Sequence, residues 1–316
     1  MASDALSSPP PPAPPLSPRP SLGFEELRRR GFEAVQAGVL EEAVLCFERA
    51  RDLAEGDGTK RDLATCNLAI VHVELCDTDE AEIERDLVAL RTILGRTHSV
   101  ENGWLASHHL ARIYERRKLF KRGLFYARMA LDRSAWVERT DWTAYSHNLL
   151  GNLLLAESWV DEAEGHYRHA LTLLSSDDVW RARVLDNLGY CQALLGDLEQ
   201  AFALLEESQS SFTRHRAERY TLSNHLALAF THLLAGQDQA AREHADAAAG
   251  LARRFDDADA LKNALYLLGQ ALQRLGDAPG AAHVFGRLQR RFYPDQPAIG
   301  DLLMQVDTLS LVNLRA

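Results

Sequence analysis

Small and apolar side chains recur along this chain in pairs of amphipathic segments, each pair about forty residues after the last. The clearest pair is HNLLGNLLLAESWVDEAEGHYRHAL, residues 147–171. Leu150, Gly151 and Leu154 mark one helix, Ala163, Tyr167 and Ala170 a second, and Glu157 and Ser158 the turn between them. Asp161 and Glu162 open the second helix, where negative charge suits the helix dipole. The small residue of the first helix recurs as Gly31, Ala69, Ala111, Gly151, Gly189, Ala229 and Gly269. Twelve positions later stand Ala43, Ala81, Gly123, Ala163, Ala201, Ala241 and Ala281, and four further on Phe47, Arg85, Ala127, Tyr167, Leu205, Ala245 and Phe285. Leucine precedes the first small residue in every copy but the first, which has Arg30. An offset held through seven copies predicts an all-α fold: about seven antiparallel helix pairs in one α-solenoid, each packing on its neighbours. In the second copy Arg85 and Val88 break the apolar pattern, so its second helix is predicted to be displaced.

The flanks lack the repeat. Residues 1–22 hold eight of the eleven prolines, PPPPAPPLSPRP among them, and read as a disordered extended tail that a proline-reading domain could also bind. After the solenoid at 23–292, PDQP interrupts the pattern. Leu302, Leu303, Val306 and Leu309 then stand at helical spacing, which predicts a C-terminal helix within 293–316 that caps the last pair or docks elsewhere.

The stretches GFEAVQAGVLEEAVLCFERA, HNLLGNLLLAESWVDEAEGHYRHAL, DNLGYCQALLGDLEQA and LLGQALQRLGDAPGAAHVF resemble the tetratricopeptide repeat family, over roughly Phe24 to Arg290. The family's unit is 34 residues and this one is about 40, similar to kinesin light chains and to bacterial peptide-sensing or transcription-regulating members. Six extra residues add about 9 Å of helix per pair and deepen the groove wall. The resemblance implies a right-handed superhelix with the first helix of each pair on the concave face. Asparagines there bind the backbone of an extended peptide, since an amide both donates and accepts. It assigns that role to Asn67, Asn148, Asn152 and Asn187, with Tyr190 in the same row, and implies that Arg112 and Arg183 face the groove, where they could grip a carboxylate.

The third copy breaks a local rule. Arg112, Arg116, Arg117, Lys118, Lys121, Arg122 and Arg128 crowd a short stretch with Glu115 the only acid. Lys121 and Arg122 open a helix where positive charge costs about 0.3–1 kcal/mol each, and Gly123 replaces alanine at up to ~1 kcal/mol. A broken rule without visible compensation marks a candidate site: Arg116, Lys121 and Arg122 are predicted to form a secondary basic patch for an acidic partner.

Composition narrows the function classes. The chain has 316 residues, 46% apolar and 25% charged, a globular balance. A net charge of −10 argues against sequence-independent nucleic-acid binding. No apolar run is long enough to cross a membrane, and no leader pattern is present. Cys46, Cys66, Cys76 and Cys191 form no C-x-x-C pair and read as reduced thiols, which fits the cytoplasm. His166 and His169 are three apart without an H-E-x-x-H motif, and GDGTK at Gly56 lacks the phosphate-loop spacing. The expectation is therefore no catalytic residue, no metal and no cofactor. The chain reads as a scaffold that binds a protein or peptide segment in its concave groove, or alternatively as a peptide-responsive regulator acting through a partner.

Overall fold

The computed structural model describes residues 22–37, 39–75, 79–136 and 139–314. Residues 1–21 of the proline-rich tail and Cys76 lie outside them. The described residues contain no strand. Fourteen helices form seven antiparallel pairs: α1 (Phe24–Ala37) and α2 (Leu40–Leu53), α3 (Gly58–Glu74) and α4 (Glu80–Arg96), α5 (Val100–Arg116) and α6 (Phe120–Ser134), α7 (Thr140–Ala156) and α8 (Val160–Leu173), α9 (Val179–Leu195) and α10 (Leu198–Arg214), α11 (Glu218–Leu234) and α12 (Asp238–Arg254), α13 (Ala258–Arg274) and α14 (Ala278–Phe292). Each pair packs on the next, so the arrangement is an α-solenoid.

Within a pair the two small positions set how closely the helices meet. Where the first helix contributes glycine, the second answers with a large side chain: Gly31 with Phe47, Gly151 with Tyr167, Gly189 with Leu205, Gly269 with Phe285. A Cβ added at Gly151 would stand 2.5 Å from the Tyr167 ring, and one at Gly189 2.7 Å from Leu205. Where the first helix contributes Ala111 or Ala229, the matching residues are Ala127 and Ala245, all fully buried. Volume is conserved across each joint, as close packing requires. Gly123 follows the same logic, because a Cβ there would lie 2.8 Å from Leu153 of α7. The glycine in the third repeat is thus compensated by helix approach.

The second repeat corrects the twelve-residue offset. Ala81 is exposed, as are Arg85 and Val88. The buried face of α4 is Ile83, Leu87, Leu90 and Ile93, two positions later than the offset predicts. The α3–α4 connection is two residues longer, and α4 packs more extensively on α5 than on α3. His72 and Asp86 join α3 to α4, with Nδ1 2.7 Å from Oδ2.

Turns inside the pairs share one device. Seven positions after the first small residue the chain passes through the left-handed region, at Gly196 (φ 88°), Gly236 (φ 70°) and Gly276 (φ 81°). Ser158 (φ 64°) and Lys118 (φ 57°) hold the same place in the fourth and third repeats, where a side chain makes the conformation costly.

The C-terminal segment departs from the expected helix. A five-residue helix α15 (Ile299–Leu303) packs on α14, and a 3-10 turn follows at Thr308–Leu311. The leucine spacing does not make one helix, because the Asp307 side chain accepts from Leu309 N at 3.0 Å and starts a separate turn. Thr308 is buried against α13: its amide donates to Gln270 Oε1 at 2.7 Å and its hydroxyl to the Tyr266 carbonyl at 3.2 Å.

Candidate functional site

The first helices of successive pairs supply the inner wall, and the superhelix brings early and late repeats face to face. Arg219 of α11 donates to the Glu74 carbonyl at the end of α3 (3.0 Å), and Lys118 Nζ lies 3.5 Å from Asp259 Oδ1 of α13. Between these crossings lies a cavity of about 560 Å³. Arg112, Arg116, Asn152, Arg183 and Asn187 line it, together with Glu74, Lys118, Arg219, Tyr220 and Leu314.

Arg183 is held flat. Its guanidinium carbon is 4.1 Å from the Trp180 ring centre and 4.5 Å from that of Tyr220. Stacking on both faces fixes the plane and leaves the N–H edge for a ligand. Its hydrogen bond to the Tyr220 hydroxyl is long, 3.5 Å. Arg112 is different: it donates to Glu74 at 2.6 Å and to Glu115 at 2.5 Å. Burial opposes the charge on Arg112, but Glu115 and Glu74 outweigh it and raise its pKa. Burial likewise opposes ionisation of Glu74, yet Arg112, Arg183 and Arg219 hold its carboxyl below the usual range. Arg112 therefore shapes the wall while its charge is already matched.

The asparagines are tied to one another. Asn187 Nδ2 donates to Asn148 Oδ1 (2.8 Å) and Asn152 Oδ1 (2.9 Å), and the Tyr167 hydroxyl donates to Asn152 Oδ1 at 2.9 Å. All three amides are buried. They form a ladder between α7 and α9, with Asn152 and Asn187 reaching the cavity edge. Asn67 is 1% exposed and stands apart from the cavity lining. Tyr190 is fully buried, and its hydroxyl accepts from Leu314 N at 3.2 Å.

The basic stretch of the third repeat divides. Arg116 turns inward and caps the end of α3, donating to the carbonyls of Val73 and of Leu75, the latter at 2.8 Å. Arg117 pairs with Glu80 and with Glu84 (2.7 Å) of α4. Lys121 and Arg122 remain exposed at the start of α6. Most of the apparent excess thus serves the displaced second repeat. The cavity itself carries Arg112, Arg116, Lys118, Arg183 and Arg219 against Glu74, Glu115, Asp186, Asp256, Asp257 and Asp259, so its field has mixed sign.

Near Arg112, His108 and His109 are buried, His108 stacked on the Trp104 ring. Burial, aided by Arg112, pushes His109 down to about 3 and His108 well below its ordinary value, so both are neutral packing groups at neutral pH. The described residues hold no group of three side chains suited to a metal ion, and none of their helices is long and apolar enough to cross a membrane. Sequence reasoning missed Arg219, Glu74, Trp180, Tyr220 and Leu314, and it read Lys118 as part of the basic stretch without placing it in the channel. Of these, Lys118 carries a local signal, a long charged residue at the turn position that four other repeats give to glycine.

The tetratricopeptide repeat family profile matches residues 142–214, which are α7 to α10. The chain matches no curated protein. Similar solved structures include a Rap protein complexed with competence and sporulation factor, with a TM-score of 0.65 and 15% identity over 89% of this chain and 76% of that one. Aspartyl phosphate phosphatase F from Bacillus subtilis gives 0.58 and 11%, over 93% and 95%. The Rap conjugation gene regulator of plasmid pLS20, in complex with the Phr* peptide, gives 0.55 and 16%, over 89% and 78%. At these identities the likeness is one of fold. Residues 142–214 match the tetratricopeptide repeat profile, and the chain shares the helical solenoid fold of those structures.

Proposed function

We propose that this tetratricopeptide-repeat solenoid is a non-catalytic interaction scaffold whose concave channel holds an extended segment of a partner protein or a peptide. The observation that carries the reading is Arg183, clamped between Trp180 and Tyr220 at the edge of a 560 Å³ cavity and without a carboxylate at ion-pair distance among the described residues. A preorganised guanidinium loses little freedom on binding and suits a carboxylate of the ligand. Asn187 and Asn152, beside it, offer amide groups to a main chain. The Phr* complex of the similar Rap regulator supports a peptide as the ligand class. The acidic character assigned to the partner narrows to one carboxylate opposite Arg183, because the channel's other charges are mixed.

The test is partner capture by the purified chain, wild type against Arg183→Glu. Reversing a desolvated charge contact costs about 2–5 kcal/mol, so capture should weaken roughly thirtyfold or more at unchanged helicity. Equal capture by both chains removes the channel from the working surface and shifts attention to exposed Lys121 and Arg122.

A second reading, a peptide-responsive regulator, draws on the contacts that bridge the channel. Lys118–Asp259 and Arg219–Glu74 link repeats whose spacing depends on superhelical pitch, so a ligand entering between them changes that pitch. Small-angle scattering separates the two: a regulator changes its radius on binding and a rigid scaffold keeps it.

A further inference from the structure

A second cavity, of about 370 Å³, opens between the second helices α12 and α14, over α13, and shares no lining residue with the channel. Arg253 of α12, Leu261 and Leu265 of α13, and Arg287, Arg290 and Arg291 of α14 line it, with no acidic residue among them. Arg291 stands 3.8 Å from Asp256, an exposed pair. Among the described residues, Arg253, Arg287 and Arg290 have no carboxylate at ion-pair distance. Cations suit a helix C-terminus, which accounts for Arg253, Arg290 and Arg291, but the dipole acts only over the last turn. Arg287 lies five residues before the end of α14, and it repels Arg290 and Arg291 three and four positions on. The repeats themselves do not require these charges. The places of Arg287, Arg290 and Arg291 hold Glu207, Ser210 and Ser211 in the fifth repeat, and Ala247, Gly250 and Leu251 in the sixth. A Cβ at Gly286 would lie 3.4 Å from an Arg290 guanidinium nitrogen, so this glycine leaves room for the Arg290 head to lie back along α14. A chain of net charge −10 thus concentrates like charge in one cavity of its last two pairs, a local rule broken without an internal partner.

We infer that this four-arginine cavity is a binding site for a phosphate monoester carried on an apolar stem. Four guanidinium groups against the one Asp256 carboxylate leave three positive charges unmatched in a space the size of a small ligand. A carboxylate brings one charge. A phosphate monoester brings about −1.5 to −2 and three strong acceptor oxygens on one atom, so it meets several arginine forks at once. Leu261 and Leu265 stand one turn apart on α13 and are each 2% exposed, while the arginines are exposed or half-buried. The apolar floor is therefore recessed behind the charged rim, where a narrow stem reaches it and a flat bilayer surface does not. Two sources supply this chemistry, a free organic phosphate and a phosphorylated side chain of a partner protein. The site is independent of the channel and of Arg183.

The experiment is a calorimetric titration of phenyl phosphate into the full chain. Binding should weaken at least tenfold in the Arg287→Glu, Arg290→Glu double variant and should weaken with added salt. Arg287→Lys, a milder change that keeps the charge and loses the planar fork, should weaken it by a smaller factor. Arg183→Glu should leave it unchanged, which separates this site from the channel. No binding by the wild type overturns the inference, and so does equal binding by wild type and double variant at unchanged helicity. Phenyl phosphate should also bind more tightly than inorganic phosphate, and equal affinity overturns the role given to Leu261 and Leu265. A hexaglutamate peptide bound more tightly than phenyl phosphate overturns the phosphate chemistry in favour of an acidic protein segment. A phosphotyrosine peptide bound more tightly than phenyl phosphate supports the site with a partner protein as the source. Equal or weaker binding of that peptide supports it with a free organic phosphate.

Discussion

In the fourth repeat α7 and α8 touch through Gly151 and Tyr167, a joint with no room for one methyl group. In the second repeat α3 and α4 meet across His72 and Asp86, and Ala81, which should sit at the joint, is exposed. The first joint is set by shape; in the second a charged contact sits beside a shifted apolar face of Ile83, Leu87, Leu90 and Ile93. A shape joint admits one distance and one angle. A charge joint tolerates a longer connection and a shifted register, and it draws in neighbours: Arg117 reaches Glu80 and Glu84, Arg116 caps α3, and Arg112 binds Glu74. The irregular side gives the channel wall Glu74, Arg112 and Arg116, while the regular repeats supply the asparagine ladder together with Arg183 and Arg219.

The largest effects should come from breaking the shape joint. Tyr167→Ala leaves a cavity and should cost about 3–5 kcal/mol, and Gly151→Ala should cost about 1–3 kcal/mol by overpacking. In the Tyr167→Ala background Gly151→Ala should be nearly free, since the pair then reproduces Ala111 and Ala127. Urea unfolding of the four chains checks this, and simple additivity would refute the joint.

Acidity should separate the two repeats next. Burial lowers the His72 pKa, but Asp86, with Glu82, more than offsets this and the net shift is upward. A raised value means stability present below the unfolded value near 6.5 and lost as pH rises through the folded one. His147 has the opposite sign. Burial, with His169 and His166 beside it, pushes it down to about 4, so its contribution is present above 6.5 and lost as pH falls toward 4. His244 in the sixth repeat behaves alike, also at about 4. In thermal melts, His72→Gln should flatten the alkaline limb only and His147→Gln the acid limb only. The same limb changing in both variants would contradict these assignments.

The smallest effect concerns the crossing between the two sides. Lys118–Asp259 is an exposed pair, worth under about 1 kcal/mol, and Lys118→Gly also relieves the left-handed turn. Stability should therefore hardly move. The radius of gyration should increase as the channel loses a bridge, and an unchanged radius would show that this pair does not set the channel width.

Residue order alone determined the helix pairs, their number and their small joints, because helical periodicity and volume matching between neighbours are local properties. It also placed Arg112 and Arg183 on the first helices and marked the second repeat as irregular. Gly123 and the basic stretch looked uncompensated in sequence, since their compensation comes from Leu153, α4 and the end of α3 in other repeats. Only the tertiary structure decided which arginine keeps its charge available, because Arg112 meets Glu74 and Glu115 while Arg183 meets two aromatic rings. It alone brought Arg219 to Glu74, Lys118 to Asp259 and Leu314 to Tyr190. Those contacts depend on the pitch of the whole superhelix, a sum of small rotations at every joint that no single stretch of sequence encodes.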